Sequence, residues 1–387
     1  MKLKKNTWAS VQIGIIVSEL RNSSTNPVKD GYDRYVGFEH IEPENIYLKQ
    51  FGDLNDGVSF KKTFKKNDVL FGKIRAYLKK VAVAPIDGIC SGDILVLKTK
   101  DETKLSQELL AYYLTTESFL KRAVDSSIGT TLPRTKWQHL SKHEIHLPPI
   151  PEQKQIAALF QSLETAIEQV EWQERNLKVL WKRLINEFVS DKPCFGNLLK
   201  GKKLKTYNYR DVAQKLMRKI DPLTYGIKRI IAGENLESED FKLRTWKKVG
   251  EGYLGPAFHV LFKTGDILYG SRRTYLRKVS YADFDGVCAN TTYVITANEK
   301  LLLQDLLKHI MLSERFTQYS IGVSKGSTNP YINWKDLDNF SFLIPDLETQ
   351  KEIANVLDGI LEIVEQLKQQ KATLKDLKHK ILNEILG

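Results

Sequence analysis

The chain has few cysteines and lacks the long apolar runs that mark membrane proteins. No apolar run approaches the length that is needed to cross a bilayer. The basic start lacks the apolar centre and the small-residue cleavage site of a secretory signal. The three cysteines, Cys90, Cys194 and Cys288, include no C-x-x-C spacing, which argues against a disulfide framework or a zinc site. We therefore expect a protein of the reducing cytoplasm that does not associate with membranes.

Motifs for binding nucleotides or methyl donors are also missing. Gly250, Gly252 and Gly255 fit the pattern G-x-G-x-x-G, but Pro256 follows and no βαβ pattern surrounds them. A turn is the better interpretation. The segment "NPYI", residues 329–332, resembles the N/D-P-P-Y/F loop of adenine methyltransferases but lacks the second proline. We interpret it as a structural turn.

Metal ligands and catalytic groups are equally hard to find. His139, His143 and His146 have metal-like spacing, but the second copy of the repeat described below has no histidines there. Asp240 and Lys242 match the end of a nuclease motif, but the match is too short to carry weight. We predict no metal site, no catalytic residue and no cofactor on this chain.

The charge balance is more informative than the motifs. The 387 residues carry a formal net charge of +12, with 42% hydrophobic and 27% charged residues, as in a globular protein. An excess of Lys and Arg of this size indicates a polyanionic partner. The alternative is a merely basic, solvated surface.

The sequence contains one unit of roughly 195 residues twice. An offset of 197 aligns residues 127–157 with residues 324–354 without a gap, and an offset of 198 aligns the segments around Gly72 and Gly270. Shared residues include the pairs Trp137/Trp334 and Gln153/Gln350. The chain is therefore an internal repeat.

Each copy combines a mixed region with a long helix. Short β-rich runs among Gly and Asp turns precede a helical stretch, so we expect an α+β fold. We expect two similar mixed α/β domains, separated by two long antiparallel coiled-coil helices with pseudo-twofold symmetry. The predicted boundaries are residues 1–150 and 191–347 for the domains, and residues 151–190 and 348–387 for the helices.

The helices show the alternating three- and four-residue spacing of a coiled-coil seam. In the second helix the pattern is broken once, at Lys371. We expect the seam to form a spacer and a docking surface for partners. Its representative apolar positions are Ile156, Leu163, Ile167, Leu177, Ile353, Ile360, Val364 and Leu374.

The order domain, helix, domain, helix predicts the geometry. If the second helix packs antiparallel along the first, the two domains lie at opposite ends of a two-helix spacer. A helix of about 40 residues is about 60 Å long, which exceeds the ~34 Å of one DNA turn. Duplex DNA, which has its own twofold symmetry, is the expected polyanion.

The basic residues concentrate in the two domains, at corresponding places in the repeat. Tyr77 and Tyr275 are interleaved with them. Positions that differ between the copies, such as Lys73 against Ser271 and Ile74 against Arg272, are the better candidates for reading sequence, while shared positions favour phosphate contacts. The candidate DNA-binding residues are Lys61, Lys62, Lys65, Lys66, Lys73, Arg75, Lys79, Lys80, Arg272, Arg273, Arg277 and Lys278.

Taken together, the pattern resembles the specificity subunits of type I restriction–modification systems. The segments "GTTLPRTKWQHLSKHEIHLPPIPEQKQIA" and "GSTNPYINWKDLDNFSFLIPDLETQKEIA" carry the resemblance, and it covers both halves of the chain. It implies that each domain recognises one half of a two-part DNA site, with the helices as a ruler between the halves. It also implies two modification subunits that bind S-adenosylmethionine and methylate adenine. Restriction subunits that use ATP and Mg would complete the complex.

Two other functions stay open at this point. A self-contained DNA methyltransferase or nuclease would need catalytic motifs that the sequence does not show. A scaffold protein with basic domains that bind something other than DNA would bind independently of salt. The sequence does not identify the recognised bases or the length of the gap.

Overall fold

The computed structural model describes residues 5–251 and 255–387, so the central part of the G-x-G-x-x-G match lies outside the described residues. The chain forms two compact units. The first unit comprises Met1–Val170 and Gln369–Gly387, and the second comprises Glu171–Lys368. Each of the two long helices therefore contributes to both units.

The first copy of the repeat contains strands β1–β10 and helices α1–α5. The strands are β1 (Ala9–Gln12), β2 (Val17–Leu20), β3 (Arg34–Val36), β4 (Gly52–Asp53), β5 (Lys62–Phe64), β6 (Val69–Gly72), β7 (Val81–Val83), β8 (Gly88–Cys90), β9 (Ile94–Thr99) and β10 (Glu144–Leu147). The helices are α1 (Ile13–Ile16), α2 (Gln107–Tyr113), α3 (Glu117–Asp125), α4 (Trp137–Leu140) and the long α5 (Ile150–Phe188).

The second copy contains strands β11–β20 and helices α6–α9 in the corresponding order. The strands are β11 (Lys205–Asn208), β12 (Ala213–Leu216), β13 (Arg229–Ile231), β14 (Lys247–Lys248), β15 (Phe258–Phe262), β16 (Ile267–Gly270), β17 (Val279–Tyr281), β18 (Gly286–Ala289), β19 (Thr292–Ala297) and β20 (Ser341–Ile344). The helices are α6 (Tyr209–Val212), α7 (Gln304–Ile310), α8 (Glu314–Gly322) and the long α9 (Leu347–Leu386).

The strand order is the same in both copies, which confirms the repeat. One four-stranded sheet has the order β2-β9-β6-β7, matched by β12-β19-β16-β17. The other has the order β4-β3-β8-β5, matched by β14-β13-β18-β15. Only the pairs β3–β8 and β13–β18 are parallel among the described strands. A two-stranded ribbon, β1-β10 or β11-β20, completes each copy.

The two four-stranded sheets and the helices form three layers around a central sheet. On β6, Val69 and Phe71 belong to the core shared with the helices, whereas Leu70 belongs to the core between the sheets. Side chains alternate in this way because successive residues of a strand point to opposite faces. Leu268 on β16 repeats the pattern. Both faces of the central sheet are therefore buried in each unit.

Two of the cysteines and the repeated tryptophans pack inside the two units. Cys90 and Cys288 are fully buried between the sheets, where burial raises the pKa of each thiol to about 12. Trp137 and Trp334 are packing residues, since the ring of Trp334 lies 5.6 Å from that of Tyr209. None of the described helices has an apolar stretch long enough to span a bilayer.

The buried faces of the long helices differ in part from the predicted seam. At the position where the spacing allowed either Leu180 or Trp181, Trp181 is the buried residue; Leu377, a predicted position of the second helix, is 44% exposed. Leu382 and Leu386 are buried instead. They face the core of the first unit, because the end of the helix packs against sheet and helices rather than in a two-helix seam alone. Of the representative positions, Ile156, Ile167, Ile353 and Val364 are buried, and Leu163, Leu177, Ile360 and Leu374 are half-buried.

A buried glutamine fixes the start of each long helix. The Gln153 side chain accepts a hydrogen bond from the backbone N–H of Ser106 at 2.9 Å. Its amide group donates to the carbonyls of Lys104 at 2.6 Å and Pro148 at 2.8 Å. Ser106 caps helix α2, so one side chain connects the N-termini of two helices.

Gln350 repeats these contacts in the second unit. It accepts from the backbone of Leu303 at 3.0 Å and donates to Leu301 and Pro345, both at 2.9 Å. Both glutamines are fully buried or nearly so. Both copies therefore have a glutamine at this position because each copy needs this three-way link.

We expect Gln153→Leu and Gln350→Leu each to lower the free energy of unfolding by about 3 kcal/mol, because leucine leaves buried backbone groups without partners. The neighbouring Lys154 and Lys351 are exposed and serve as matched controls. Lys154→Ala and Lys351→Ala should change it by less than about 0.5 kcal/mol. Denaturant unfolding measures all four, and equal small effects would contradict this role of the glutamines.

Candidate nucleic-acid interface

Two loops join at the surface of the first unit and bring predicted basic residues together. We call residues 73–80 and 128–135 the paired loops of this unit. The backbone N–H of Arg75 donates to the carbonyl of Pro133 at 2.9 Å, and that of Thr135 donates to the carbonyl of Lys73 at 3.0 Å. The second loop also closes on itself through Ile128 and its bridge partner Arg134.

The second unit has the same arrangement in residues 271–278 and 325–332, its own paired loops. The backbone N–H of Arg273 donates to Pro330 at 2.7 Å, and that of Ile332 donates to Ser271 at 2.9 Å. Lys325 and Tyr331 close the second loop with a reciprocal pair of hydrogen bonds. The backbone of the paired loops is therefore shared by both copies.

Four cationic residues of the paired loops have left-handed backbone conformations. The φ angles are 47° at Arg75, 52° at Lys79, and 51° at both Arg273 and Arg277. Residues with a Cβ rarely adopt this region, and such strain concentrates at functional sites. The same strain recurs at matching positions of the two copies, so this backbone shape is a property of the unit.

The paired loops present aromatic and basic side chains to solvent. Tyr77 is 56% exposed and Tyr275 is 51% exposed. Arg272 and Arg273 are exposed, and neither side chain has a hydrogen bond or ion pair with any residue that the structure describes. Exposed aromatic rings beside unpaired cations suit a nucleic acid, because cations contact phosphates and rings stack on bases.

The predicted DNA-binding lysines outside these loops differ in accessibility. Lys61 and Lys66 are exposed, and their side chains have no ion partner within residues 5–251 and 255–387. The Nζ of Lys65 lies 2.8 Å from Asp87. Lys62 is half-buried, donates to the carbonyl of Ile94 at 3.0 Å, and its pKa is lowered by burial.

Several predicted residues of the paired loops are held by internal contacts. Lys80 donates to the carbonyl of Phe38 at 2.8 Å, and burial lowers its pKa. Lys278 donates to the carbonyl of Gly233 at 2.5 Å. Lys79 pairs with Glu44 at 2.7 Å. These side chains stabilise the unit, and their predicted role at DNA stays a prediction.

Arg277 has two carboxylate partners within the second unit. Its guanidinium lies 2.8 Å from the carboxylate of Glu239 and 2.6 Å from that of Glu314. It also donates to the carbonyl of Leu312. Lys73, by contrast, lies 3.9 Å from Asp93 and is only half-buried.

The structure adds residues that the sequence did not single out. Arg134, Lys325 and Tyr331 lie in the paired loops, and Tyr331 is 41% exposed. The "NPYI" segment is a turn, as expected, but its tyrosine faces solvent beside the arginines. The sequence did contain a signal for these residues. They flank a glycine and a proline that both copies share, and unlike that glycine and proline they differ between the copies.

The residues considered for metal binding and nuclease chemistry have other contacts. Within the described ranges, no group of three His, Cys, Asp or Glu side chains is placed to hold a metal ion. The ring of His143 packs edge-on against Phe119 at 5.3 Å. Asp240 lies 2.9 Å from Arg244 and 3.2 Å from Lys368, in an ion-pair network.

A cavity of about 620 Å³ in the second unit is lined by this network. Four of its carboxylates, those of Glu239, Asp240, Asp358 and Glu365, are paired with cations; for example, Glu239 lies 2.6 Å from Lys182, and Asp358 lies 2.8 Å from Lys308. Such pairing stabilises the walls of the cavity and occupies the groups that an acid–base site would need.

Comparison with known proteins identifies similar sequences over most of the chain. The profile of the type I restriction modification DNA specificity domain matches residues 22–177 and 200–376, once in each copy. The type I restriction enzyme MjaVIII specificity subunit of Methanocaldococcus jannaschii is 26% identical over 406 residues, covering 98% of this chain and 92% of that protein. The match to the EcoDI specificity subunit of Escherichia coli is 33% identical over 124 residues, only 32% of this chain and 27% of that protein.

Solved structures show the same fold. A chain from a study of complex assembly and conformational transition in the type I R-M system has a TM-score of 0.60 and 19% identity, with 97% of each chain covered. The type I restriction–modification S subunit from M. genitalium has a TM-score of 0.56 and 14% identity, covering 100% of this chain and 98% of that one. The predicted fold class is thereby confirmed.

We expect Arg273→Ala to weaken binding to duplex DNA and to reduce the slope of log K against log[salt] by about 0.9, as for one lost phosphate contact. The matched variant Arg277→Ala should instead lower the free energy of unfolding by about 1–3 kcal/mol, because it removes internal ion pairs. Salt-dependent DNA titrations and denaturant unfolding separate the two effects. An unchanged salt slope for Arg273→Ala would contradict its assignment to the interface.

Proposed function

The chain belongs to the family of the type I restriction modification DNA specificity domain, and on that premise we propose how it works as a specificity subunit. It recognises duplex DNA for a type I restriction–modification complex. Each of its two units reads one half of a two-part DNA site. The scaffold and the self-contained enzyme are less favoured, because the family matches both copies of the repeat.

The duplicated paired loops are the observation that supports this function. Both units have the same backbone hydrogen bonds and the same strained arginine, yet the outward side chains differ, as at Lys325 and Ile128. A shared backbone gives both units one way of docking on the uniform phosphate backbone. Different side chains give each unit its own base sequence.

Catalysis then belongs to partner subunits. We propose two modification subunits that carry S-adenosylmethionine and methylate adenine, and restriction subunits that use ATP and Mg. Adenine methylation inside a duplex requires the base to be flipped out of the stack, and the modification subunit performs that step. This chain positions its partners on the chosen sequence.

The long helices serve as the ruler between half-sites. Helix α5 has 39 residues and helix α9 has 40 residues, which corresponds to about 60 Å of α-helix each. A rigid spacer of fixed length sets the number of unread base pairs between the two halves of the site.

The helices also offer an exposed apolar surface in the second unit. Trp172 is 63% exposed and Val179 is 61% exposed on α5, and Val356 (42%) and Ile363 (47%) are exposed on α9. Each pair is seven residues apart, so its members lie on one side of their helix. Exposed apolar residues in such a stripe are typical of protein–protein interfaces. We assign this stripe to the docking of a modification subunit.

The methylome of cells that co-express this chain with its modification subunit tests the function. We expect an asymmetric, two-part adenine-methylated motif that is absent from cells without the chain. The gap between the halves should be constant, because it reflects the length of the helices. If both proteins are folded and associated but no new methylation arises, the function is wrong.

The docking assignment is tested by replacing two residues of the stripe with those that the first unit has at the matching positions. The repeat places Gln369 and Asp376 where Trp172 and Val179 stand. We expect the double variant Trp172→Gln, Val179→Asp to bind the modification subunit about tenfold or more weakly, because a buried tryptophan commonly contributes more than 1 kcal/mol to an interface.

Calorimetry or surface plasmon resonance with the purified modification subunit measures this binding. The adjacent Gln173 is exposed. Its side chain points away from the stripe, because successive residues of an α-helix are rotated by about 100° about the helix axis. Gln173→Ala is therefore the matched control and should bind as the wild type does. Unaltered binding of the double variant, with an unchanged thermal midpoint, would remove the stripe from the docking surface.

A further inference from the structure

A three-residue bridge crosses the paired loops of each unit. In the first unit Arg134 is the central residue, with antiparallel bridges to Ile128 on one side and Ile74 on the other. In the second unit Tyr331 is central, between Lys325 and Arg272. We call these sets the bridge triplets.

The members of a bridge triplet project from one face. Residues that are directly opposite each other in a β-bridge have their Cβ atoms about 4.5–5.5 Å apart, on the same side of the strands. Each triplet is therefore a row of three neighbouring residues, of which Ile74 is buried at 9% exposure and the other five, counted over both units, are exposed. The row is Ile-Arg-Ile in the first unit and Lys-Tyr-Arg in the second.

The residues around the triplets are shared, whereas the triplets are not. Gly129 and Gly326 both have positive φ angles, of 110° and 88°. Pro133 and Pro330 both accept a backbone hydrogen bond from the strained arginine of their unit. By contrast, all three triplet positions differ between the copies. Only a differing set of side chains can distinguish two different half-sites.

The chemistry of each row suits base edges. Arg134 is exposed, and its guanidinium is held by Asp93 through bonds of 2.9 Å and 3.4 Å. An arginine fixed in this way keeps N–H donors free for a bidentate contact with O6 and N7 of guanine. Beside it, Ile128 is 66% exposed, a surface that suits the methyl group of thymine.

The row of the second unit has a different character. Arg272 has no side-chain partner among the described residues, and Tyr331 is 41% exposed beside it. The position that matches Asp93 is Thr291, so no carboxylate orients a central arginine here. Lys325 lies 3.1 Å from Asp336 at the other end of the row.

We propose that the exposed members of the bridge triplets are the base-reading residues of this chain, with Arg134 contacting a guanine of the first half-site. This inference rests on the proposed function in DNA recognition. It goes beyond it in naming five residues that determine which bases are read: Ile128, Arg134, Arg272, Lys325 and Tyr331.

The first test uses the full chain with its modification subunit and the methylated motif found for the wild type. Competition binding compares a duplex carrying that motif with duplexes that have one base pair changed in the first half-site. We expect Arg134→Ala to reduce discrimination at one guanine by about tenfold or more. Discrimination at every other position should stay as in the wild type.

Arg273→Ala is the control, because it removes a predicted phosphate contact. It should weaken binding to all duplexes by a similar factor and leave discrimination unchanged. If Arg134→Ala behaves like Arg273→Ala, or retains full discrimination, the triplet does not read bases.

A graft tests the triplets directly. The variant Arg272→Ile, Thr291→Asp, Lys325→Ile, Tyr331→Arg gives the second unit the triplet and orienting carboxylate of the first. We expect its methylome to show a changed second half-site, with the first half-site and the gap intact. An unchanged motif in a folded, active graft would overturn the proposal.

The two hypotheses fail in different ways. If wild-type cells show no methylated motif that depends on this chain, the proposed function itself fails. If the wild type has such a motif and neither Arg134→Ala nor the graft alters a half-site, only the assignment of the triplets fails.

Discussion

The link made by Gln153 and Gln350 is the constraint on which the rest of each unit depends. One buried side chain binds three backbone groups that belong to a helix N-terminus, a preceding proline and the turn before a second helix. The direction in which the long helix leaves the sheets is therefore fixed by hydrogen bonds as well as by the apolar packing of residues such as Ile156 and Ile353. A ruler needs that fixed direction, because an error in angle at one end of a long helix becomes a large displacement at the other.

The layered sheets supply the second requirement, a rigid base for the paired loops. The central sheet of each unit is buried on both faces, and its strand β6 or β16 leads directly into the first of the two loops. Enclosed contacts such as Arg277 with Glu314 then hold the far end of that loop. Strained left-handed residues persist because the surrounding structure determines their conformation. The loops are thus preorganised, which limits the entropy lost on binding.

Much of the fold could be predicted because the repeat and the helical periodicity are properties of local sequence. The repeat and the long helices followed from such patterns. The internal pairing of Arg277 and Lys62 could not, since their partners Glu314 and Glu19 are distant in sequence and meet only through folding. Arg134 and Tyr331, which lie beside the predicted positions Ile74 and Arg272, were missed for the same reason. Ile74 and Arg134 are brought together by backbone hydrogen bonds between two separate loops, which no local pattern reports.

The strained cations distinguish structural from functional roles. A left-handed conformation costs a residue with a Cβ about 1–2 kcal/mol, and glycine would avoid that cost. At Lys79 and Arg277 the side chain compensates through ion pairs within the unit, and at Arg75 through a bond to the carbonyl of Thr131 at 3.4 Å. Arg273 has the same strain but no partner among the described residues. The side chain of Arg273 is therefore available to an external anion, as its predicted contact with the phosphate backbone of DNA requires.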